Sequence, residues 1–152
     1  MQEWLLKLIT NPYLITGVSS WAIAQVLKTI IHFIVNKQLK AERLFGDGGM
    51  PSGHSATVSS LATIICLMQG PDSVAFAISA ILAIIVCHDA TGVRMETGKQ
   101  NMVLNELINL MESDELPEVK LKEFVGHTPI QVAVGILIGI ANALVMYFCV
   151  FN

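Results

Sequence analysis

Charged residues are scarce in this sequence of 152 residues. Asp, Glu, Lys and Arg together make up 14% of it, and the formal net charge is only -3. The basic residues form no cluster of the kind that binds RNA or DNA, so we expect no nucleic-acid partner. The sequence also contains no internal repeat and no low-complexity tract. We therefore treat residues 1–152 as a single domain.

Cysteine is scarce as well, with three residues in the chain. Cys66, Cys87 and Cys149 lie in or beside apolar segments and show no CxxC spacing. We interpret them as small core residues rather than as a disulfide or metal set.

A metal site is conceivable from residue type alone. The four side chains that could contribute to it are His54, His88, Asp89 and His127. They lack the paired i, i+4 spacing that a helical metal site shows, so we expect neither a metal nor another cofactor.

Apolar residues are abundant instead, at 53% of the chain, with a mean hydropathy of +0.62. The apolar runs 14–35 and 130–150 are long enough to cross a bilayer, whereas 56–68 and 74–87 fall short of the roughly 17–25 residues that a span needs. None of the four has a charged face toward solvent. The pattern predicts an all-α membrane bundle of about four transmembrane helices, in which the short pair either packs inside the bundle or thins the membrane.

Two further segments are suited to the membrane interface. The first ten residues are interrupted by Lys7 and lead to no small-residue cleavage site, so they do not form a cleavable signal peptide. We expect them to lie in the interface, anchored by Trp4. Apolar residues at helical spacing between Gly98 and Glu112 predict an amphipathic interfacial helix or a connector covering the end of the bundle.

The basic residues are distributed unevenly across the predicted spans. Four spans place the loop 36–52 and the segment 91–127 on one side, and the turn 69–73, which has no Lys or Arg, on the other. The basic residues on the first side are Lys37, Lys40, Arg43, Arg94, Lys99, Lys120 and Lys122. By the positive-inside rule this side is cytoplasmic. We expect an integral membrane protein, in the inner membrane if the cell is bacterial.

Two similar motifs begin the second and fourth predicted spans. "PSGH" at 51–54 and "GHTPIQV" at 126–132 each combine turn residues with a histidine just before an apolar run. Thr128 is a predicted N-cap and Pro129 a predicted first helical residue. The free N–H groups at such helix starts bind anions, and both starts open on the same predicted face.

Charged residues at the ends of the other two spans face the same side. Lys28 lies about two turns inside the first span, where a charge is costly unless it meets an anion or water, although its long stem could also reach the surface. His88, Asp89 and Arg94 end the third span. We expect a cationic, amide-lined pocket with two imidazoles, which suits phosphoryl transfer.

Several stretches resemble a known family. "GGMPSGHSA" and the later "GHTPIQVAVGILIG", together with "QVLK" at 25–28 and "DATGVRMETGKQNMVLN" at 89–105, are similar to the divergent branch of the type 2 phosphatidic acid phosphatase superfamily. Its wider relatives include lipid phosphate phosphatases, bacterial acid phosphatases and vanadium haloperoxidases. The resemblance covers nearly the whole chain.

The resemblance implies roles for particular residues. His127 would attack phosphorus to form a phosphohistidine, and His54 would protonate the leaving oxygen. Ser52 and the Gly53 amide would hold phosphate oxygens, and no metal would be needed. The basic residues that could neutralise the phosphate are Lys28, Arg43, Arg94 and Lys122.

The late motif departs from the superfamily pattern at two positions. Leu121 stands where an arginine is usual, so Lys122 or Arg94 would have to replace it. Gln131 stands where an aspartate is usual. Its amide can accept an imidazole N–H bond and orient His127, but it cannot stabilise an imidazolium as a carboxylate does, and Asp89 or Glu123 could supply that support.

Two hypotheses for function follow. The first is a membrane phosphatase that hydrolyses a lipid or prenyl phosphate monoester through a phosphohistidine intermediate. The alternative is a catalytically weak or inactive scaffold that binds anions or lipid phosphates, which the missing aspartate favours. A homodimer is also considered, because Gly135, Gly139 and Ala143 form a small-residue stripe, for which an intrachain contact is the other explanation.

Overall fold

The computed structural model describes residues 1–37, 49–110, 121–122 and 125–151, and every regular element within them is helical. The helices are α1 (Gln2–Ile9), α2 (Pro12–Asn36), α3 (Gly53–Gln69), α4 (Val74–Thr91), α5 (Val93–Leu110) and α6 (Pro129–Met146), which continues as a π-helical turn (Tyr147–Phe151). The predicted all-α class is confirmed.

Side-chain caps fix where several helices begin. The Asn11 side chain accepts hydrogen bonds from the N–H groups of Tyr13 and Leu14 at 3.0 and 3.2 Å, and Pro12 occupies the first position of α2. Ser73 caps α4 by accepting from the Phe76 N–H at 3.2 Å. These Asn-Pro and Ser starts follow ordinary capping rules and fix the first residues of α2 and α4.

Helix α3 lies at the centre of the bundle and packs against α2, α4 and α6. Its buried side consists largely of small residues, and their hydroxyls bond to carbonyls of the same helix. Ser59 Oγ donates to Ser55 O at 2.6 Å, and Ser60 Oγ donates to Thr57 O at 2.9 Å. Because these polar groups are satisfied internally, α3 can be both polar and buried in a membrane protein.

The small-residue stripe of α6 contacts α3. A Cβ added to Gly135 would lie 2.5 Å from Ser52 O, and one added to Gly139 would overlap Ser59 Oγ and Ala56 O. Ala143, the third member of the stripe, is fully buried. The stripe therefore serves a close contact within the chain, which is the other explanation given for it, and the homodimer stays a prediction.

Three segments of the described residues are long and apolar enough to cross a membrane: Pro12–Asn36, Val74–Leu110 and Pro129–Phe151. Helix α3, with 17 residues, is about 25 Å long and falls short of the roughly 30 Å hydrocarbon core. Three candidate spans are thus found among the described residues, and a fourth span at α3, which packs against α2, α4 and α6, stays a prediction.

The segment Val74–Leu110 is long because Gly92 does not interrupt the helical hydrogen bonds between α4 and α5. The Gly92 N–H donates to His88 O at 2.9 Å, and the Glu96 N–H donates to Gly92 O at 3.0 Å. Helix α5 therefore begins at Val93, five residues before the predicted start at Gly98, and the predicted end at Glu112 lies outside the described residues.

The outward surfaces are apolar. On α4, Ile81, Ile84 and Ile85 are 59 to 68% exposed, as expected for side chains that face lipid. Helix α1 has no buried residue and exposes Trp4, while α5 exposes Val103 and Leu107. These unpartnered apolar surfaces agree with the predicted interfacial positions of α1 and α5.

Candidate functional site

The start of α6 is fixed by a capping box. Thr128 Oγ1 accepts a hydrogen bond from the Gln131 N–H at 3.4 Å, and Gln131 Oε1 accepts one from the Thr128 N–H at 3.1 Å. Pro129 is the first helical residue. The predicted cap and helix start are confirmed, and they leave His127 just outside the helix.

The same glutamine orients the imidazole of His127, whose Nδ1 lies 3.3 Å from Gln131 Oε1. Because the Thr128 N–H can only donate, the atom that it contacts is the amide oxygen. An amide oxygen can only accept, so His127 Nδ1 carries the proton in this bond. The lone pair of the neutral ring is then on Nε2.

The end of α4 holds the main chain next to His127. The His127 N–H donates to Ala90 O at 2.9 Å. Gly126 has a φ of 88°, and a Cβ there would lie 2.5 Å from Met95 N. Both the positive φ and the close approach require glycine, so Gly126 allows His127 to sit against the junction of α4 and α5.

The start of α3 is bonded directly to α6, because the Ser52 N–H donates to Gln131 O at 3.1 Å. Ser52 Oγ accepts from the Ser55 N–H at 3.3 Å and lies 2.9 Å from Ser55 Oγ, and the residue is fully buried. Its hydroxyl thus caps α3. The N–H groups of Gly53 and His54, in the first turn, have no acceptor within the helix.

The two motif histidines lie next to each other. The ring centroids of His54 and His127 are 6.4 Å apart, with an angle of 61° between the ring planes. His54 is exposed, whereas His127 is only 3% exposed. The folded chain thus brings together two imidazoles that are separated by more than seventy residues in sequence, close enough for both to contact one phosphate group.

Lys28 projects into the bundle rather than along its surface, with only 5% of the residue exposed. Its side chain passes Gly49, where an added Cβ would lie 3.6 Å from Lys28 Cγ. The two residues line a cavity of about 170 Å³ that also includes His32 and Asn36. This cavity places a buried ammonium group beside the loop that leads to the "PSGH" motif.

Burial lowers the pKa of the His127 imidazole below its ordinary value, and the positive charge of Lys28 and the His54 ring act in the same direction. Hydrogen bonds with Gln131 and with the main chain of Gly49 oppose this change without reversing it. His127 is therefore neutral at pH 7, which is the protonation state that a nucleophile needs.

Comparisons with known proteins agree with this arrangement. A family profile described as Divergent PAP2 family matches residues 9–142, a range that includes Lys28 and both histidine motifs. The chain belongs to the divergent PAP2 family. It is 41% identical over 155 residues to the Bacillus subtilis (strain 168) protein named "Uncharacterized membrane protein YuiD", across 94% of this chain and 98% of that one. No solved structure matches the chain.

Membership in the divergent PAP2 family confirms the resemblance inferred from the motifs, and the relative's name agrees with a membrane protein.

Asp89 and Arg94 form an ion pair, with Arg94 Nε 2.8 Å from Asp89 Oδ2 and both side chains about 40% exposed. Among the described contacts, the Asp89 carboxylate is therefore engaged by Arg94. His127 Nδ1 donates to Gln131 Oε1 instead.

The remaining basic candidates of this divergent PAP2 protein are exposed or lie outside the described residues. Lys122 is exposed, and its carbonyl accepts from Asn101 Nδ2 at 2.7 Å. Arg43 and Glu123 lie outside the described residues. Among the described candidate cations, Lys28 is the one whose positive charge acts on the His127 imidazole.

Three polar residues near the site were not predicted from the sequence. Asn101 and Asn105 on α5 hold the segment before His127, and Asn105 exchanges two hydrogen bonds of 3.0 Å with the main chain of Leu121. Gln25, one turn before Lys28, is 8% exposed, and its Oε1 receives no hydrogen bond from the described residues. Its inclusion in "QVLK" was the only sequence signal that could have drawn attention to it.

The described residues include no group of three or more His, Cys, Asp or Glu side chains arranged to hold a metal ion. His88 belongs to the last turn of α4 and His32 to the cavity beside Lys28. The arrangement therefore offers two imidazoles, an ammonium group and free main-chain N–H groups, which together can bind a tetrahedral anion.

Proposed function

We propose that this divergent PAP2 protein is a membrane phosphatase that hydrolyses a lipid or prenyl phosphate monoester through a phosphohistidine. The observation that carries the proposal is the state of His127. Its Nδ1 is engaged by Gln131, its pKa is lowered, and its ring lies 6.4 Å from that of His54. A neutral imidazole with its lone pair on Nε2 beside a second imidazole is the pairing that nucleophilic and general acid catalysis require.

In the first step the lone pair on His127 Nε2 attacks phosphorus, and the bond from phosphorus to the ester oxygen breaks. The departing alkoxide takes a proton from the His54 imidazolium and leaves as an alcohol. The products of this step are a phosphohistidine at His127 and a neutral His54 ring.

In the second step water attacks phosphorus, and His54 accepts the proton that the water loses. The N–P bond breaks, its electron pair returns to His127 Nε2, and inorganic phosphate is released. His54 is then protonated again for the next cycle, so the two half-reactions use the same ring as acid and as base.

Charge on the phosphoryl oxygens would be stabilised by Lys28 and by main-chain N–H groups at the start of α3. Lys28 is buried beside His127, and the N–H groups of Gly53 and His54 have no acceptor within the helix. Donors fixed before the substrate arrives are the most effective kind for this purpose. We assign Ser52 mainly a capping role, with its buried hydroxyl positioning these N–H groups.

The proposed site lies at the membrane surface on the side that carries most of the basic residues. This side is proposed to be cytoplasmic, because the opposite turn at 69–73 has no Lys or Arg. A phosphate would then meet the site from water while the alcohol remains in the bilayer.

The alternative function, an anion-binding scaffold without turnover, is favoured by one observation. The partner of His127 Nδ1 is a neutral amide, while the nearby carboxylate of Asp89 is paired with Arg94. A neutral partner orients the ring but stabilises an imidazolium less than a carboxylate does.

The experiment that tests the proposal is a phosphate-release screen of the purified protein over a panel of lipid, prenyl and aryl phosphates, with His127→Ala and His88→Ala as matched variants. We expect His127→Ala to abolish release and His88→Ala to retain it. Saturable binding of vanadate without phosphate release from any compound would refute the enzyme and favour the scaffold.

A further inference from the structure

A second, apolar cavity adjoins the histidine pair. It has a volume of about 360 Å³ and lies between α2, α3 and α4, where it is lined by Val18, Trp21, His54, Thr57, Val58 and Val86. His54 is the only titratable side chain in this lining, and the other residues present hydrocarbon, a methyl group or an indole ring. The cavity thus extends from the proposed general acid along an apolar wall.

The packing of α2 against α3 shows in which direction the cavity extends. A Cβ added to Gly53 would lie 3.5 Å from Trp21 Cδ1, and one added to Gly17 would lie 3.8 Å from Thr57 Cγ2. At the C-terminal end of α3, Gln69 Nε2 donates to Tyr13 Oη, near the start of α2, at 2.8 Å. The helices are therefore antiparallel, and the cavity runs from the start of α3 toward the interior of the bundle.

Lys28 lies at the opposite end of this arrangement. It follows Trp21 by seven residues on α2, which is about 10 Å along the helix axis toward the loop. The ammonium group, the histidine pair and the apolar cavity are therefore arranged in that order along α2. An amphiphile with an anionic head and a hydrocarbon tail has the same order of groups.

We infer that the apolar cavity binds the hydrocarbon chain of a single-chain alcohol monophosphate, such as an alkyl or prenyl phosphate. The inference rests on the proposed function, since it places the oxygen between chain and phosphorus beside His54. The volume of about 360 Å³ lies near the lower limit of ligand pockets, which suits one chain, so a second chain of a diacylglycerol phosphate would have to lie outside the cavity.

Binding can be tested without turnover, because Trp21 lines the cavity and the chain contains two tryptophans. The second, Trp4, lies on α1 and is 67% exposed. In a Trp4→Phe protein in detergent, a brominated single-chain alkyl phosphate should quench Trp21 fluorescence with saturation. The brominated alcohol of the same chain length is the control, and Lys28→Met should remove the saturable part.

Turnover provides the second test. Val86→Phe would fill the cavity from α4, and Ile84→Phe, at a residue that is 68% exposed, is the matched control on the same helix. We expect Val86→Phe to raise KM for dodecyl phosphate at least about tenfold and KM for a small aryl phosphate much less, whereas Ile84→Phe should change neither. If Val86→Phe does not fold, the same measurement is made on Val58→Phe, which fills the cavity from α3.

The outcomes separate this inference from the proposed function. If His127→Ala abolishes lipid phosphate hydrolysis but Val86→Phe changes nothing and Trp21 is not quenched, the phosphatase stands and the cavity assignment is wrong. A preference for diacylglycerol phosphate over dodecyl phosphate also overturns the assignment. Saturable quenching without hydrolysis of any phosphate would retain the cavity and refute the phosphatase.

Discussion

Gln131 is the residue on which the two motifs of the site converge. Its carbonyl accepts from the Ser52 N–H at 3.1 Å, and its side-chain oxygen contacts both Thr128 N–H and His127 Nδ1. A single glutamine thus completes a helix cap, holds the start of α3 and sets the histidine tautomer. The sequence showed that Gln131 could orient His127, but its bond to Ser52 depends on how α3 and α6 pack.

The charge of residue 131 should control the pH dependence of the reaction. In the wild type the pKa of His127 is lowered by burial and by Lys28, so the acid limb of kcat/KM should lie below the ordinary imidazole pKa of about 6.5. In Gln131→Asp the added carboxylate favours the imidazolium. We expect the limb to move to higher pH and turnover above pH 8 to rise about tenfold.

The measurement is a pH profile of phosphate release for the wild type, Gln131→Asp and the neutral control Gln131→Asn. Folding stability should also depend on pH, because the unfolded chain binds a proton at His127 at a higher pH than the folded chain does. Stability should therefore fall as pH decreases below about 6.5. An acid limb that stays in place or moves to lower pH in Gln131→Asp would contradict the assignment.

The loss of kcat in His54→Ala should increase with the basicity of the leaving oxygen. Without a general acid, an alkoxide must leave unprotonated, whereas an aryl oxide leaves readily. We expect His54→Ala to reduce kcat on a lipid phosphate by about 10²–10⁴-fold and on a nitrophenyl phosphate by less than about tenfold. Steady-state kinetics on both substrates, with His88→Ala as control, make the comparison. Equal losses on both would show that His54 is not the acid.

At the level of helices, the contact between α3 and α6 determines the site. The sequence predicted both helix starts correctly, because Thr128, Pro129 and the "PSGH" turn carry local capping signals. It did not show what the small-residue stripe of α6 contacts. A stripe of glycine and alanine has the same local pattern whether it packs within a chain or between chains, and only the tertiary structure distinguishes the two.

The closeness of this contact can be tested with one methyl group. A Cβ on Gly139 would overlap Ser59 Oγ and the Ala56 carbonyl, and the main-chain atom cannot move aside cheaply. We expect Gly139→Ala to lower the free energy of unfolding by about 1–3 kcal/mol. The control Leu137→Ala, at a residue 65% exposed, should cost less. Denaturation in detergent measures both, and equal stability of Gly139→Ala and wild type would contradict the packing.

At the level of the whole molecule, the sequence predicted a helical membrane protein and its family, and both are confirmed. Long apolar runs identify spans directly, because a bilayer sets their length. The number of spans was harder to predict, since α3 is short, polar and central, and its shielding by α2, α4 and α6 is a tertiary property. Polar contacts such as those between Asn105 and Leu121 were not predictable for the same reason.

The cytoplasmic orientation of the site, proposed from the uneven distribution of basic residues, can be tested by labelling. If the site faces the cytoplasm, cysteines introduced at Lys40 and Lys120 should react with an impermeant reagent only from the cytoplasmic side, and one at Asp72 only from the opposite side. The labels are placed in a chain whose three native cysteines are replaced. Reaction of positions 40 and 120 from opposite sides would rule out a single site built from both motifs.

The most direct test of the central claim is to trap the phosphorylated enzyme. The purified protein, mixed with an aryl or dodecyl phosphate and quenched at alkaline pH, should carry an acid-labile phosphate that mass spectrometry maps to His127. The phosphate should be on Nε2, because Gln131 engages Nδ1 at 3.3 Å. Phosphate on Nδ1 or on His54, or no phosphohistidine with any substrate that the protein hydrolyses, would contradict the account.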